Sequence, residues 1–265
     1  MNFATTKRLM PHLEGSIMPE AEFMRDNYYL ALARYQLASD YAENKVVLEA
    51  GSGAGYGAEI ISEVAKKVYA VDLSKNSIRE SQKKYLRKNL KFEIGDITKL
   101  NFPDSTFDLI SAFEIIEHLE DYNRAISEFK RVLKPGGLLI LSTPNKKVYS
   151  PGTKKPFYPF HFKEFTLEEL KSLLGDFKIK QILGEYIRGR KMLTYGPRNP
   201  KRLLRVLFAN LPFIIKKLIM RIYLEIFNLA YKIKIYRPQK TNLKDIYFDK
   251  NIKNTREFII MAQKV

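Results

Sequence analysis

No cysteine occurs among the 265 residues, which excludes a disulfide framework, a thiolate metal site and a cysteine nucleophile. Histidine is nearly as scarce. His12, His118 and His161 are the full set, and none stands at the i, i+4 spacing of a helical metal pair, so zinc chemistry is poorly supplied and no metal site is expected. The first thirty residues lack the basic start and apolar run of a secretory signal, so the expected address is the cytoplasm. Hydrophobic residues at 45% and aromatics at 12% are ordinary for a chain that buries a core, and they exclude a wholly disordered or fibrous protein. At about 100 to 200 residues per domain, the length fits one large domain or a domain with an appendage.

The net charge of +17 is unevenly placed. Between Tyr186 and Arg256 there are 18 Lys and Arg against three acids, Glu225, Asp245 and Asp249, whereas the rest of the chain carries 28 basic against 26 acidic residues. A near-neutral domain therefore carries a strongly basic block near its end, and the two parts need separate explanations.

From Lys45 onward, short β-branched runs alternate with helical stretches, the pattern of βαβ units and a parallel sheet. Strands are expected at Val46 to Leu48, Val68 to Val71, Leu90 to Ile94, Phe107 to Phe113 and Leu138 to Ser142, with helices over Tyr56 to Lys67, Ser74 to Lys88 and Asp121 to Leu133. Ser74 is a candidate cap, and Thr166 with Glu169 reads as a capping box. Thr143 to Phe160, with four prolines, reads as a loop too long to be mere connection. Phe177 to Leu183 and Glu257 to Ala262 read as strands, and if they pair, the basic block is an insertion between them.

The strongest chemical signal runs from Val46 through Glu49 to Gly51, Gly53, Gly55, Tyr56 and Gly57: a strand, a glycine-rich turn and a helix. Glycines there let the backbone bend sharply and approach a ligand with no Cβ in the way, beside amides that favour anionic oxygens. A dinucleotide fingerprint would need glycine at position 56, where this chain has tyrosine. Asp72 ends the second expected strand, where a carboxylate accepts ribose hydroxyls, and Asp96-Ile97 ends the third, offering a carboxylate for an exocyclic amine and an aliphatic wall for a base. Open α/β sheets bind ligands along that edge.

These residues, with Phe107 to Ile110, Glu114 to Leu119 and Leu133 to Gly137, resemble in order and spacing the motifs of class I S-adenosylmethionine-dependent methyltransferases, from about Leu37 to Leu183 plus the last strand. A narrower likeness, through Arg8 to Pro11, Gly15, Arg34-Tyr35, Thr143 to Asn145 and Phe160 to Thr166, is to type 11-like members associated with glycan biosynthesis. Glu49 stands where aspartate is usual and Ser52 where cysteine is usual. The resemblance implies a Rossmann-like, doubly wound seven-stranded α/β sheet with a helical insertion before the last strand. It implies a division into an N-terminal helical cover at 1–36, a cofactor-binding domain at 37–185 and 255–265, and the insertion at 186–254. It further implies S-adenosyl-L-methionine as cofactor: Glu49, Gly51 and Gly53 at its methionine portion; Asp72 at the ribose; Leu73 and Ile97 around adenine; Asp96 at the amine; Glu114 beneath the sulfonium; and Gly55 and Tyr56 as further cofactor-binding residues.

A methyl on a sulfonium is already activated, so positioning supplies much of the catalysis and a dedicated base is optional. His118 and His161 are the candidate bases, because an unperturbed histidine pKa near 6.5 suits the task. In the basic block, Phe213 to Tyr236 reads as a helix with a wide apolar surface. Lys216, Lys217, Arg221 and Glu225 interrupt it, so it is not expected to span a membrane. It reads as a lid on the core or as a helix over 200–236 lying on an anionic membrane at the inner face. Nucleic acid is disfavoured, since large aliphatics rather than stacking aromatics separate the basic residues. The reaction expected is O-methylation of a small-molecule, glycan or lipid-linked acceptor. The rivals are an RNA methyltransferase and a non-catalytic cofactor-binding protein at a membrane surface.

Overall fold

The computed structural model describes residues 22–156, 158, 160–188, 211–212, 214–215, 218–219, 222, 243–252 and 255–265. Residues 1–21, with His12 and the Arg8 to Gly15 segment, and most of 189–242, with the greater part of the expected insertion, lie outside these. Among the described residues a helix, α1 (Glu22–Asp40), precedes an alternating series: β1 (Val46–Ala50), α2 (Tyr56–Ser62), β2 (Lys67–Asp72), α3 (Lys75–Lys84), β3 (Leu90–Ile94) and β4 (Phe107–Phe113). A 3-10 turn (Ile116–His118) leads to α4 (Tyr122–Val132), β5 (Leu133–Pro144), α5 (Lys146–Tyr149), α6 (Leu167–Leu173) and β6 (Phe177–Ile187). β7 (Ile246–Asp249) and β8 (Glu257–Lys264) complete the order.

The strands form one sheet in the order β3-β2-β1-β4-β5-β8-β6-β7. β1 to β5 are mutually parallel, so their C-terminal ends share one edge, and β8 runs antiparallel between β5 and β6. This is the doubly wound α/β architecture anticipated, with one addition. Ile246 to Asp249, inside the basic block, pair with Gly184 to Ile187 as an eighth strand at the edge.

Side chains alternate between the two faces of a strand, and the burial follows that period of two. Val47, Leu109, Ile140 and Ile259 join Leu30, Leu37 and Ile61 on one face. Leu48, Ile110, Leu139, Leu141 and Ile260 join Phe129, Phe165 and Leu170 on the other. Helix starts are set by local hydrogen bonds. Ser74 accepts from the Ser77 amide and Asp121 from the Arg124 amide, and Thr166 with Glu169 completes a reciprocal capping box. The long loop expected from Thr143 is shorter than drawn, because β5 runs on to Pro144. The Asn145 side chain then caps α5 by accepting from the Lys147 amide.

Candidate active site

The glycine corner follows β1. Gly51, Gly53 and Gly55 have φ of 79°, 48° and 78°, the left-handed region in which only glycine is unstrained. The Gly51 and Ser52 amides donate to the Val71 carbonyl, tying the corner to β2. A Cβ on Gly51 would sit 2.7 Å from Ile115, and one on Gly57 would sit 2.1 Å from the Tyr35 ring. One on Gly53 would meet nothing within 4 Å. The corner is therefore packed from behind and open at Gly53. Asp72 faces that opening, since its Oδ2 accepts the Gly53 N–H at 2.8 Å and its Oδ1 the Ser74 N–H at 2.8 Å.

Glu49 lies beneath the corner, fully buried on β1. One carboxylate oxygen accepts from the Ser111 hydroxyl; the other, Oε1, has no hydrogen-bond partner. Burial pushes its pKa up to about 8, against the opposing pull of the Ser111 hydroxyl and, weaker and without a well-formed hydrogen bond, of the Tyr35 hydroxyl. Leu73, beyond β2, is 64% exposed, and Ile97, beyond β3, is buried, so the two expected adenine walls stand at neighbouring strand ends. Asp96 is exposed, and its Oδ1 accepts from the amide and hydroxyl of Thr98, both at 2.8 Å. Tyr56 packs edge-on against Tyr35, 5.4 Å between ring centroids, so its ring joins the contact with α1.

A second group gathers at the adjacent ends of β4 and β5. Glu114 follows β4 with φ 51°, unusual for a residue with a side chain, and accepts from the Ser142 hydroxyl at 2.7 Å. Past it, Glu117 is buried; its Oε2 accepts from Thr143 Oγ1 at 2.9 Å, while Oε1 has no partner. Burial, then repulsion from Glu114, raises the Glu117 pKa well above the ordinary range. The Glu117 carbonyl accepts from the Phe162 and Lys163 amides, which draws the proline-rich loop over this turn. His118 and His161 thereby meet edge to face, with ring centroids 4.9 Å apart. His118 Nδ1 lies 3.0 Å from the Phe160 carbonyl oxygen and His161 Nδ1 lies 3.0 Å from Glu164 Oε1. The His118 pKa is lowered, chiefly by burial, which keeps its ring neutral near pH 7. His161, distant in the chain, thus joins Glu114 and His118 in one neighbourhood, and Ile115 presses this turn against Gly51.

Beside this group lies a buried ionic cluster that the sequence did not announce. Arg34, on α1, donates to Glu185 Oε2 at 2.9 Å and lies 3.9 Å from Glu114. Burial alone would lower the Arg34 pKa, but Glu185, then Glu114 and Glu257, outweigh it and hold the guanidinium charged. Arg256 donates to the Tyr149 hydroxyl at 2.8 Å and lies 3.8 Å from Glu257. The available signal was modest: Glu185 and Glu257 are acids at inward positions of strands, where an apolar residue is expected.

Residues 48–141 match the family model for a methyltransferase domain. The chain is 37% identical over 154 residues to a protein named as a probable S-adenosylmethionine-dependent methyltransferase of Mycolicibacterium smegmatis, covering 57% of this chain and 59% of that one. A protein of the same name from Mycobacterium tuberculosis is 40% identical over 142 residues, 54% of this chain and 51% of its own. The chain thus spans between half and three-fifths of the length of these curated relatives. Among solved structures, the N-methyltransferase NodS of Bradyrhizobium japonicum, in complex with S-adenosyl-L-homocysteine, has a TM-score of 0.52 at 13% identity, covering 91% of this chain and 87% of that one. That likeness is one of fold.

Proposed function

We propose that this protein is an S-adenosylmethionine-dependent methyltransferase acting on an acceptor hydroxyl. The observation that carries the reading is the corner at Gly53. Bare backbone opens onto free space within reach of Asp72, and Glu49 below it holds an unpartnered oxygen. Such a pocket fits a ligand with a zwitterionic amino-acid tail, its ammonium toward Glu49, and a sugar diol. Gly51, Gly53 and Glu49 would hold the tail, Asp72 the ribose hydroxyls, and Leu73 and Ile97 would flank the base, with Asp96 at its amine. When bound, the cofactor supplies a methyl group already activated on a sulfonium.

The chain's own part is to position the acceptor and handle its proton. Asp72 keeps both oxygens beside the opening through backbone amides, each retaining a lone pair for a hydroxyl. Glu114, fixed by Ser142, precedes Ile115, which packs on the corner, and the turn that carries His118. The acceptor proton is managed at His118 and His161, where the Nδ1 atoms are tied and Nε2 is the nitrogen left to face a substrate.

The acceptor we favour is a glycan or lipid-linked molecule met at a membrane. Support comes from the basic block, where Ile214, Ile215, Leu218, Ile219 and Ile222 are exposed on helical backbone at spacings that share one face. Among the described residues no helix is long and apolar enough to cross a membrane. A helix resting on anionic headgroups suits both facts. Vesicles containing anionic lipid should sediment the protein and neutral ones should not. Steeply salt-dependent RNA binding without vesicle binding would replace this reading.

The assignment itself is tested by heat. At 100 times its Kd, a ligand stabilises by about 2.7 kcal/mol, roughly a 5–10 °C rise in melting temperature for a domain of this size. The cofactor or its demethylated product should produce that rise, and Asp72→Ala should abolish it. No rise with the native protein at millimolar cofactor would overturn the proposal.

A further inference from the structure

The composition suggested no metal site, yet the fold assembles a donor set. One ligand atom from each of Glu117, His118 and His161 lies within 4.8 Å of the other two. An ion with bonds of about 2.1 Å holds neighbouring donors about 3–3.5 Å apart, so small side-chain rotations would close the set. Four further observations point the same way. Glu117 Oε1 is buried without a partner, a costly arrangement unless something cationic meets it. Each imidazole is oriented from its Nδ1 side, His118 by a backbone carbonyl and His161 by a carboxylate, which are the two supports that metal-bound histidines use. The supporting Glu164 is itself buried, and its second oxygen also lacks a partner. Glu114 adds a further negative charge nearby, felt by both Glu117 and His118.

We propose that Glu117, His118 and His161 bind one first-row divalent transition-metal ion, with Glu164 and the Phe160 carbonyl orienting the two rings. Two imidazoles and one carboxylate suit manganese, iron, cobalt, nickel or zinc rather than calcium or magnesium, which favour oxygen donors alone. Three protein ligands leave coordination positions for an acceptor oxygen, so the ion would sit on the acceptor side of the pocket and, when bound, would ease loss of the acceptor proton in place of the imidazole nitrogens it occupies. That placement rests on the methyl-transfer reading, whereas binding of the ion does not.

Full-length protein stripped with chelator should take up one Co2+ or Zn2+ per chain. With only three histidines, 15N-histidine labelling reads the ligands directly: Zn2+ should move the Nε2 resonances of His118 and His161 and leave His12 unmoved. His118→Ala and His161→Ala should each weaken Co2+ binding at least about 100-fold, and Glu164→Gln about 10–100-fold, the loss typical of a second-layer carboxylate. Asp72→Ala should bind the ion normally. No saturable binding below about 1 mM Co2+, or binding that leaves both imidazoles unmoved, overturns the site. The labelled native protein gives that answer even if a variant fails to fold. Ion binding without any thermal shift from the demethylated cofactor would keep the site and remove the methyl-transfer reading, and the opposite pair of results would do the reverse.

Discussion

Glu49→Gln should make the ligand-free protein more stable at neutral pH, although it removes a residue assigned to the cofactor pocket. Glu49 is fully buried, with one oxygen bonded to Ser111 and the other unpartnered, and burial lifts its pKa to about 8. In the unfolded chain the same side chain ionises near its ordinary value of 4.5. Between those values the folded state holds a proton that the unfolded state has released, so stability falls as pH rises across that window and levels off above about 8. The slope is about 1.4 kcal/mol per pH unit, which amounts to about 3 kcal/mol by pH 7. Glutamine keeps the shape and the Ser111 contact without this linkage. At pH 7 it should therefore raise the melting temperature by roughly 6–12 °C, with little change at pH 5. The ammonium of the cofactor's zwitterionic tail should reverse the preference by ionising Glu49, so native affinity should climb with pH up to about 8 while the variant's stays flat. Melting curves from pH 5 to 8, with isothermal titration of the demethylated cofactor, test both halves. Parallel pH profiles for the two proteins would refute the reasoning.

The glycines of the corner should separate by mechanism. Gly57→Ala drives a methyl into the Tyr35 ring and should cost at least about 1–3 kcal/mol, which smaller residues at position 35 partly restore. Gly53→Ala meets open space and bears only the cost of positive φ, about 1–2 kcal/mol, so its larger effect should be on cofactor affinity; thermal melts with and without ligand separate the two. Arg34→Met strands the buried Glu185 and should cost about 3–5 kcal/mol, whereas adding Glu185→Leu should recover most of it in chemical denaturation. A double variant no more stable than Arg34→Met would show that the pair does not act as a unit.

Much of the frame is legible because its causes are local. The caps at Ser74, Asp121 and Thr166 are hydrogen bonds spanning three residues, and β1 to β5 announce themselves as short apolar runs between helical periods. The eighth strand is not legible: four residues at a sheet edge, set in a basic block, carry too little alternation to separate from a loop. β5 begins early, at Leu133, which pairs with Phe107; Gly136, with φ 75°, lies in the irregularity that follows, and pairing resumes at Leu138. The corner was readable, since glycines and Asp72 fall at successive strand ends. The ionic cluster was not, because Arg34 and Glu185 are 151 residues apart and only the sheet order brings them together. The histidine site was half visible. His161 and Glu164 are near neighbours in the chain, but the partnership with Glu117 and His118 depends on the loop folding back through the Phe162 amide.

The position of β8 has a bearing on how this chain is made. β5 and β6 leave the ribosome well before the strand that must lie between them, with the whole basic block translated in the interval. At about 5–20 residues per second, some 70 intervening residues take about 4–14 s. Throughout that delay the slot stands vacant and the nascent polypeptide offers two bare β edges to any sticky neighbour. Ribosome pausing or a chaperone that covers exposed edges would act within this interval, where the order of synthesis matters alongside final stability.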